Sequence, residues 1–271
     1  MHLEYVAQEM DSLSRWFPEV LLTFLVGYFI GSISFPRLAV SLVTKQKNLK
    51  IPDDKSTIRT KFGADRASII LGAKSGILMG ILDMLKVAMP MIYVKFLLYP
   101  GELHYLIISI AGLVGHNWPI YYRFNGGRGF SVILSSLFIV DWVGAIIVLF
   151  LGLLLGMGIF KNLMMAYMNW LWLMVPWLWL RTYNYIYVLY SVVLIMIFFI
   201  TTIPEIKAFM KYSREGNLGG FFEPGLYDSS PRWRGMKKMQ ERVNNLGVWR
   251  FVIVAIAFIA IVLIFPRLPP V

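Results

Sequence analysis

The segment GHNWPIYYRFNGGRGFS, residues 115 to 131, places Arg128 among Gly126, Gly127 and Gly129 between two apolar runs. Glycines let successive backbone N–H groups converge on one point. A helix starting just after them would add its positive end, and an arginine fork fits phosphate oxygens, so the segment can cradle an anion such as phosphate. It also reads as a tight turn between helices whose arginine meets lipid head groups. There is no G-x-x-x-x-G-K-S/T run, so nothing points to a nucleotide P-loop. His116 and Asn117 stand immediately upstream, before Trp118 and Pro119. An imidazole there can serve as general base or simply anchor a membrane boundary by hydrogen bonds.

Polar residues elsewhere interrupt otherwise apolar stretches. Asp83 and Lys86 are spaced i, i+3 in GILMGILDMLKVAMP. A charge at the bilayer centre costs about 2.5 to 3.5 kcal/mol on insertion scales, so the two should face protein and pair, as a structural or a catalytic couple. Ser32 lies in GYFIGSISFPRL, where Gly27 and Gly31 form a G-x-x-x-G face suited to close helix packing. It reads as a functional hydroxyl or as one more small packing residue, and no G-x-S-x-G elbow surrounds it. In KYSREGNLGGFFE, Arg214 and Asn217 are one helical turn apart and could donate jointly to an anion, or form part of a solvated basic loop.

These residues must be positioned by membrane helices. The chain has 271 residues, of which 58% are hydrophobic and 15% charged, with mean hydropathy +0.66. That is more apolar surface than a soluble domain of this length can bury. The formal net charge of +11 then reports topology before it reports nucleic-acid partners, of which none is expected. There is no cysteine, and the three histidines are scattered at 2, 104 and 116, so neither a thiolate nucleophile nor a metal site is expected. The N-terminus lacks the basic region of a cleavable signal peptide. Leu3, Val6, Met10 and Leu13 recur instead at helical spacing, predicting an interfacial helix over 1–16.

Apolar windows predict helices near 18–43, 67–98, 103–122, 129–140, 143–160, 163–180, 183–203 and 249–266. The fourth is too short to cross upright, as a half-helix or as a segment joined to the next at a tight turn around Asp141 and Trp142. The fold class is therefore an all-α polytopic membrane protein with seven to eight transmembrane helices and short connections. Lysine and arginine concentrate in two connections, 44–66 and 204–250, which are expected to be cytoplasmic. Alternation then puts the glycine loop on that same face and both termini outside.

Taken together, the motifs resemble those of the bacterial membrane glycerol-3-phosphate acyltransferases that use acyl phosphate as donor, the PlsY type. GSISFPRL at 31–38 is similar to the family's G-S-I-P-F-G-Y-L, and TIR at 57–59 to its D-I-R. GILDMLK at 80–86 resembles its apolar-D-x-x-K segment. GHNWPIYYRFNGGRGFS resembles its G-H-x-F-P and F-K-G-G-K-G-V-A-T block, with Arg128 in place of lysine. The resemblance covers about residues 24 to 220. It implies Ser32, Arg59 and Arg128 as catalytic residues, and Gly126, Gly127, Gly129, His116, Asn117, Arg214 and Asn217 as substrate-binding ones. Two departures stand out: TKFGADRAS follows Arg59 where the family has a longer G-S-G-N-x-G-A-T-N loop, and Arg214 replaces the histidine of a late H-x-x-N motif.

The implied reaction transfers a fatty acyl group from acyl phosphate to glycerol-3-phosphate, giving lysophosphatidate for phospholipid synthesis, with no metal or cofactor. The implied site is a multi-pass protein of the cytoplasmic membrane whose phosphate loops face the cytoplasm, in contact with membrane lipids. The departures motivate an alternative, a non-catalytic scaffold or accessory subunit that kept this framework. A small-solute transporter is a weaker third reading, because the cations gather at one face. The chain divides into the segment 1–16, a membrane domain 17–219, and an additional segment with a final helix, 220–271, that could meet a membrane protein partner.

Overall fold

The structure, a computed structural model, describes residues 2–45, 63–161, 163–215 and 231–268. It is helical along nearly all of this length. In chain order the helices are α1 (His2–Gly31), α2 (Phe35–Thr44), α3 (Ala64–Leu71), α4 (Ala73–Tyr93), α5 (His104–Asn117) and α6 (Phe130–Val140). They continue as α7 (Trp142–Leu154), α8 (Leu163–Thr182), α9 (Tyr185–Arg214), α10 (Pro231–Asn245) and α11 (Trp249–Ile264). π-helical turns extend α4 through Val94–Leu98 and α7 through Leu155–Ile159.

Hydropathy alone smooths over several breaks. The first apolar stretch divides at Ser32–Ser34, where Pro36 opens α2 and supplies no backbone donor to continue α1. The stretch expected over 67–98 divides at Gly72, whose φ of +91° and ψ of 165° suit only glycine. The short fourth segment is a separate helix, α6, meeting α7 at Asp141. The Asp141 carboxylate caps α7 by accepting from the Gly144 N–H at 3.0 Å. It also accepts from Trp177 Nε1 at 2.8 Å and Arg181 Nε at 3.2 Å, tying α7 to α8. The segment expected to be interfacial and the first span belong to one continuous helix, α1.

By length and composition, four described helical stretches can cross a membrane: Trp16–Thr44, Ala73–Leu98, Trp142–Ile159 and Tyr185–Pro204. The pair α10–α11, bent by 102°, makes a fifth if it is taken as one span. This is fewer than the seven to eight read from hydropathy: α5, α6 and α11 are only 14, 11 and 16 residues long, and α8 is not among the qualifying stretches. The core lies where α4 to α9 meet, around Leu113, Val132, Ile133, Leu137, Trp170 and Leu194, all buried. Phe251, Ile256, Phe258 and Leu263 of α11 are exposed, as helix faces bathed in lipid are.

Candidate functional site

The site begins where α1 presses on α5. A side chain at Gly27 would approach the Ile108 carbonyl to 2.6 Å, and one at Gly31 would run into the backbone of Gly112. Gly115 of α5 in turn lies against the Tyr28 carbonyl. These small residues let the two backbones touch, as the G-x-x-x-G spacing anticipates. The contact is locked by Tyr28 Oη, which donates to the Trp118 carbonyl at 3.0 Å. Ser32 is consequently buried, with no exposed surface, and its Oγ donates to the Tyr28 carbonyl at 2.8 Å.

Lys86 is the hub. Its Nζ donates to the Ile33 carbonyl at 2.5 Å and meets His116 Nδ1 at 3.0 Å. Asp83 Oδ1 lies 2.9 Å from the same ammonium, as an ion pair and not as a well-directed hydrogen bond. An ammonium has donors only, so Nδ1 of a neutral His116 must accept, and its proton sits on Nε2. That nitrogen faces the glycine loop: a side chain at Gly127 would collide with it. Lys86 thus joins the α1–α2 turn to the end of α5 and sets which nitrogen His116 offers the loop.

The loop closes over this hub. The Gly127 N–H donates to the His116 carbonyl at 3.0 Å, and a methyl at Gly126 would strike that same carbonyl. Gly129 has φ of +81°, which a residue with a side chain rarely adopts, and forms the N-cap of α6. Its carbonyl accepts from the Ile133 N–H at 2.8 Å, so the positive end of α6 opens beside partly exposed Arg128. Asn117 is buried, with no exposed surface, against Gly129, and neither polar atom of its amide has a hydrogen-bond partner among the described residues.

Arg37 holds the outer side of the loop. Its guanidinium donates to the Asn125 carbonyl at 2.6 Å and stands 5.0 Å from the centre of the Tyr122 ring. Burial pushes the Tyr122 phenol above its ordinary value, against the pull of a hydrogen bond with the Ser34 backbone and of Arg37. Sequence reasoning missed Arg37, although it sits inside the quoted segment GSISFPRL at the position of that motif's tyrosine. It also missed the Ile33 carbonyl, which no side-chain pattern announces.

Of the residues expected at the site, Ser32, His116, Asn117, Gly126, Gly127, Arg128 and Gly129 gather here, and the intramembrane pair Asp83 and Lys86 joins them. Arg214 does not belong to this cluster. It is exposed at the end of α9 and lines, with Lys207, Lys211 and Glu215, an open hollow of about 340 Å³. Arg59 and Asn217 lie outside the described residues. Where the described residues resume, Gly63 caps α3, its carbonyl accepting from the Ala67 N–H at 3.1 Å. Among the described residues there is no grouping of three or more His, Asp or Glu placed to hold a metal ion.

A family model for glycerol-3-phosphate acyltransferases matches residues 21–212. The chain belongs to that family. A glycerol-3-phosphate acyltransferase of Mycoplasma mycoides subsp. mycoides is 34% identical over 152 residues, covering 52% of this chain and 54% of the relative. One from Mycoplasma capricolum subsp. capricolum is 35% identical over 145 residues, with the same 52% and 54% coverage. The chain thus spans about half the length of these curated relatives. The crystal structure of PlsY, an integral membrane glycerol 3-phosphate acyltransferase, in its glycerol 3-phosphate form matches with TM-score 0.57 at 21% identity. The match covers 73% of this chain and 93% of that one, and the lysophosphatidic acid form gives 0.56. The fold is therefore the helical fold of PlsY, an integral membrane protein. The matched region contains the whole hub and glycine loop and ends before α10.

Proposed function

We propose that the chain transfers a fatty acyl group from acyl phosphate to glycerol-3-phosphate, releasing inorganic phosphate and lysophosphatidate. The observation that carries this reading is the assembly of Lys86, His116, Asn117 and the glycine loop at the start of α6, with Arg128 in the loop, in a chain of this family. The donor is a mixed anhydride, already activated, so no covalent enzyme intermediate is required. The glycerol hydroxyl oxygen bonds to the acyl carbon, the acyl C–O bond to phosphate breaks, and the hydroxyl proton ends on the released phosphate.

The demanding part is to hold two anionic phosphates near one another at a membrane edge and to place the hydroxyl. Arg128 and the end of α6 are suited to one phosphate; Arg59 is the candidate for the other. His116 Nε2–H and the unsatisfied Asn117 amide offer donors and an acceptor toward the loop. Ser32 has its proton committed to Tyr28, so it can offer a substrate only its lone pairs. In this reading the reaction belongs to the membrane domain 17–219, with 1–16 interfacial. The protein lies in the cytoplasmic membrane with its phosphate loops facing the cytoplasm.

The alternative reading, an accessory subunit binding a partner complex or lipid, is favoured by the short segment before α3 and by Arg214 in place of a histidine. The experiment that separates them is direct. The purified protein in liposomes receives acyl phosphate and glycerol-3-phosphate, and phosphate release and lysophosphatidate are measured together. Equal amounts of both are expected; no product from acyl phosphate or acyl-CoA overturns the enzyme reading in favour of the subunit.

A further inference from the structure

Beyond the family region, α10 and α11 both pack on the π-helical turn that follows α7. α11 is apolar after Arg250 and buries Val254 near Gly158 of the π-helical turn after α7, while Phe251, Ile256, Phe258, Ile259 and Leu263 stay exposed. Such a surface suits the hydrocarbon of a bilayer, so α11 belongs among lipid chains. α10 meets it at 102°, through a turn in which Gly247 has φ of +57°. A helix perpendicular to one embedded in the bilayer lies along the membrane surface.

One bond marks the face on which α10 packs. Gln240 is buried, and its amide donates to the Met157 carbonyl at 3.0 Å, within the π-helical turn, and to Asn244 Oδ1 at 3.0 Å. Met236 and Val243, one turn to either side, are half-buried on the same face. The opposite face exposes Arg234, Lys237, Lys238 and Arg242 against Glu241. Between the two faces and around the bend, Met239, Leu246, Val248 and Trp249 are exposed, as are the apolar residues of α11. Apolar and aromatic groups at the bend with cations beside them are the composition of a helix seated in the head-group layer.

We propose that α10 is a membrane-surface helix whose cationic face binds the phosphates of anionic phospholipids. Charge complementarity selects this occupant, and the exposed apolar groups at the bend place the cations at head-group height. A soluble acidic protein or a nucleic acid would leave those apolar groups uncovered. The proposal uses no residue of the acyl-transfer site and stands independently of that activity.

The test is hydrogen exchange of the full-length protein in nanodiscs of pure phosphatidylcholine or of phosphatidylcholine mixed with phosphatidylglycerol. Amides over 234–245 should exchange at least about tenfold more slowly in the anionic discs, and the difference should shrink at high salt. A variant carrying Arg234→Gln, Lys237→Gln, Lys238→Gln and Arg242→Gln should lose the difference while its melting temperature in detergent is unchanged, since all four side chains are exposed. Equal exchange in the two kinds of disc overturns the proposal. So does a lipid-dependent difference that persists in the four-fold variant, or protection that follows a co-purifying protein and not the lipid.

Discussion

Lys86 is the residue on which the site turns, because one ammonium engages a backbone carbonyl, a carboxylate and an imidazole on three different segments. Replacing it by methionine strands Asp83 in an apolar interior and removes the donor that keeps His116 Nδ1 an acceptor. Breaking a buried pair from one side costs about 3 to 5 kcal/mol, whereas removing both charges is often nearly neutral. Lys86→Met should therefore melt markedly earlier in detergent, and the double change Asp83→Asn with Lys86→Met should recover most of that stability without recovering lysophosphatidate formation. Recovery of both would make the pair purely structural. The i, i+3 spacing inside an apolar helix announced the pair. Its partnership with His116, 30 residues further along the chain, arises from packing that no local pattern encodes.

At the scale of elements, the site depends on helix ends that meet closely: α1 on α5, the glycine loop on the end of α5, and α2 on the loop through Arg37. A methyl at Gly127 would occupy the space of the His116 ring, so Gly127→Ala should lower kcat for acyl transfer by at least about tenfold, with the helices intact by circular dichroism. Gly31→Ala, which pushes α1 off the Gly112 backbone, should cost about 1 to 3 kcal/mol of stability, read as an earlier melting transition. Unchanged behaviour in either variant would mean that these approaches are looser than the geometry implies. The glycine spacings were legible in advance because small residues carry a packing signature. The breaks at Ser32–Ser34 and Gly72 were not read, since an averaged hydropathy window is blind to a single φ of +91° or to one proline opening a helix. α10 escaped notice for the opposite reason. Its residues fall in the basic connection 204–250, and its packed face includes Gln240 donating to the Met157 carbonyl, a long-range contact.

For the whole molecule, the membrane class followed from composition, while the number and direction of crossings depend on short helices that hydropathy counts generously. Since the chain has no cysteine, single cysteines report sidedness cleanly. Lys45→Cys, Arg123→Cys and Lys238→Cys should react with an impermeant maleimide from the cytoplasmic side, and Glu102→Cys from the other; labelling of Glu102→Cys and Arg123→Cys from one side would contradict the topology. The central claim is that the glycine loop still performs acyl transfer although the segment after Arg59 is short. It is tested most directly by the kcat/KM for lysophosphatidate formation from acyl phosphate in Arg128→Ala beside the unaltered protein. Loss of one positioned cation should lower it by about 10² to 10³-fold, with the melting temperature retained. Equal rates in the two proteins would contradict the account.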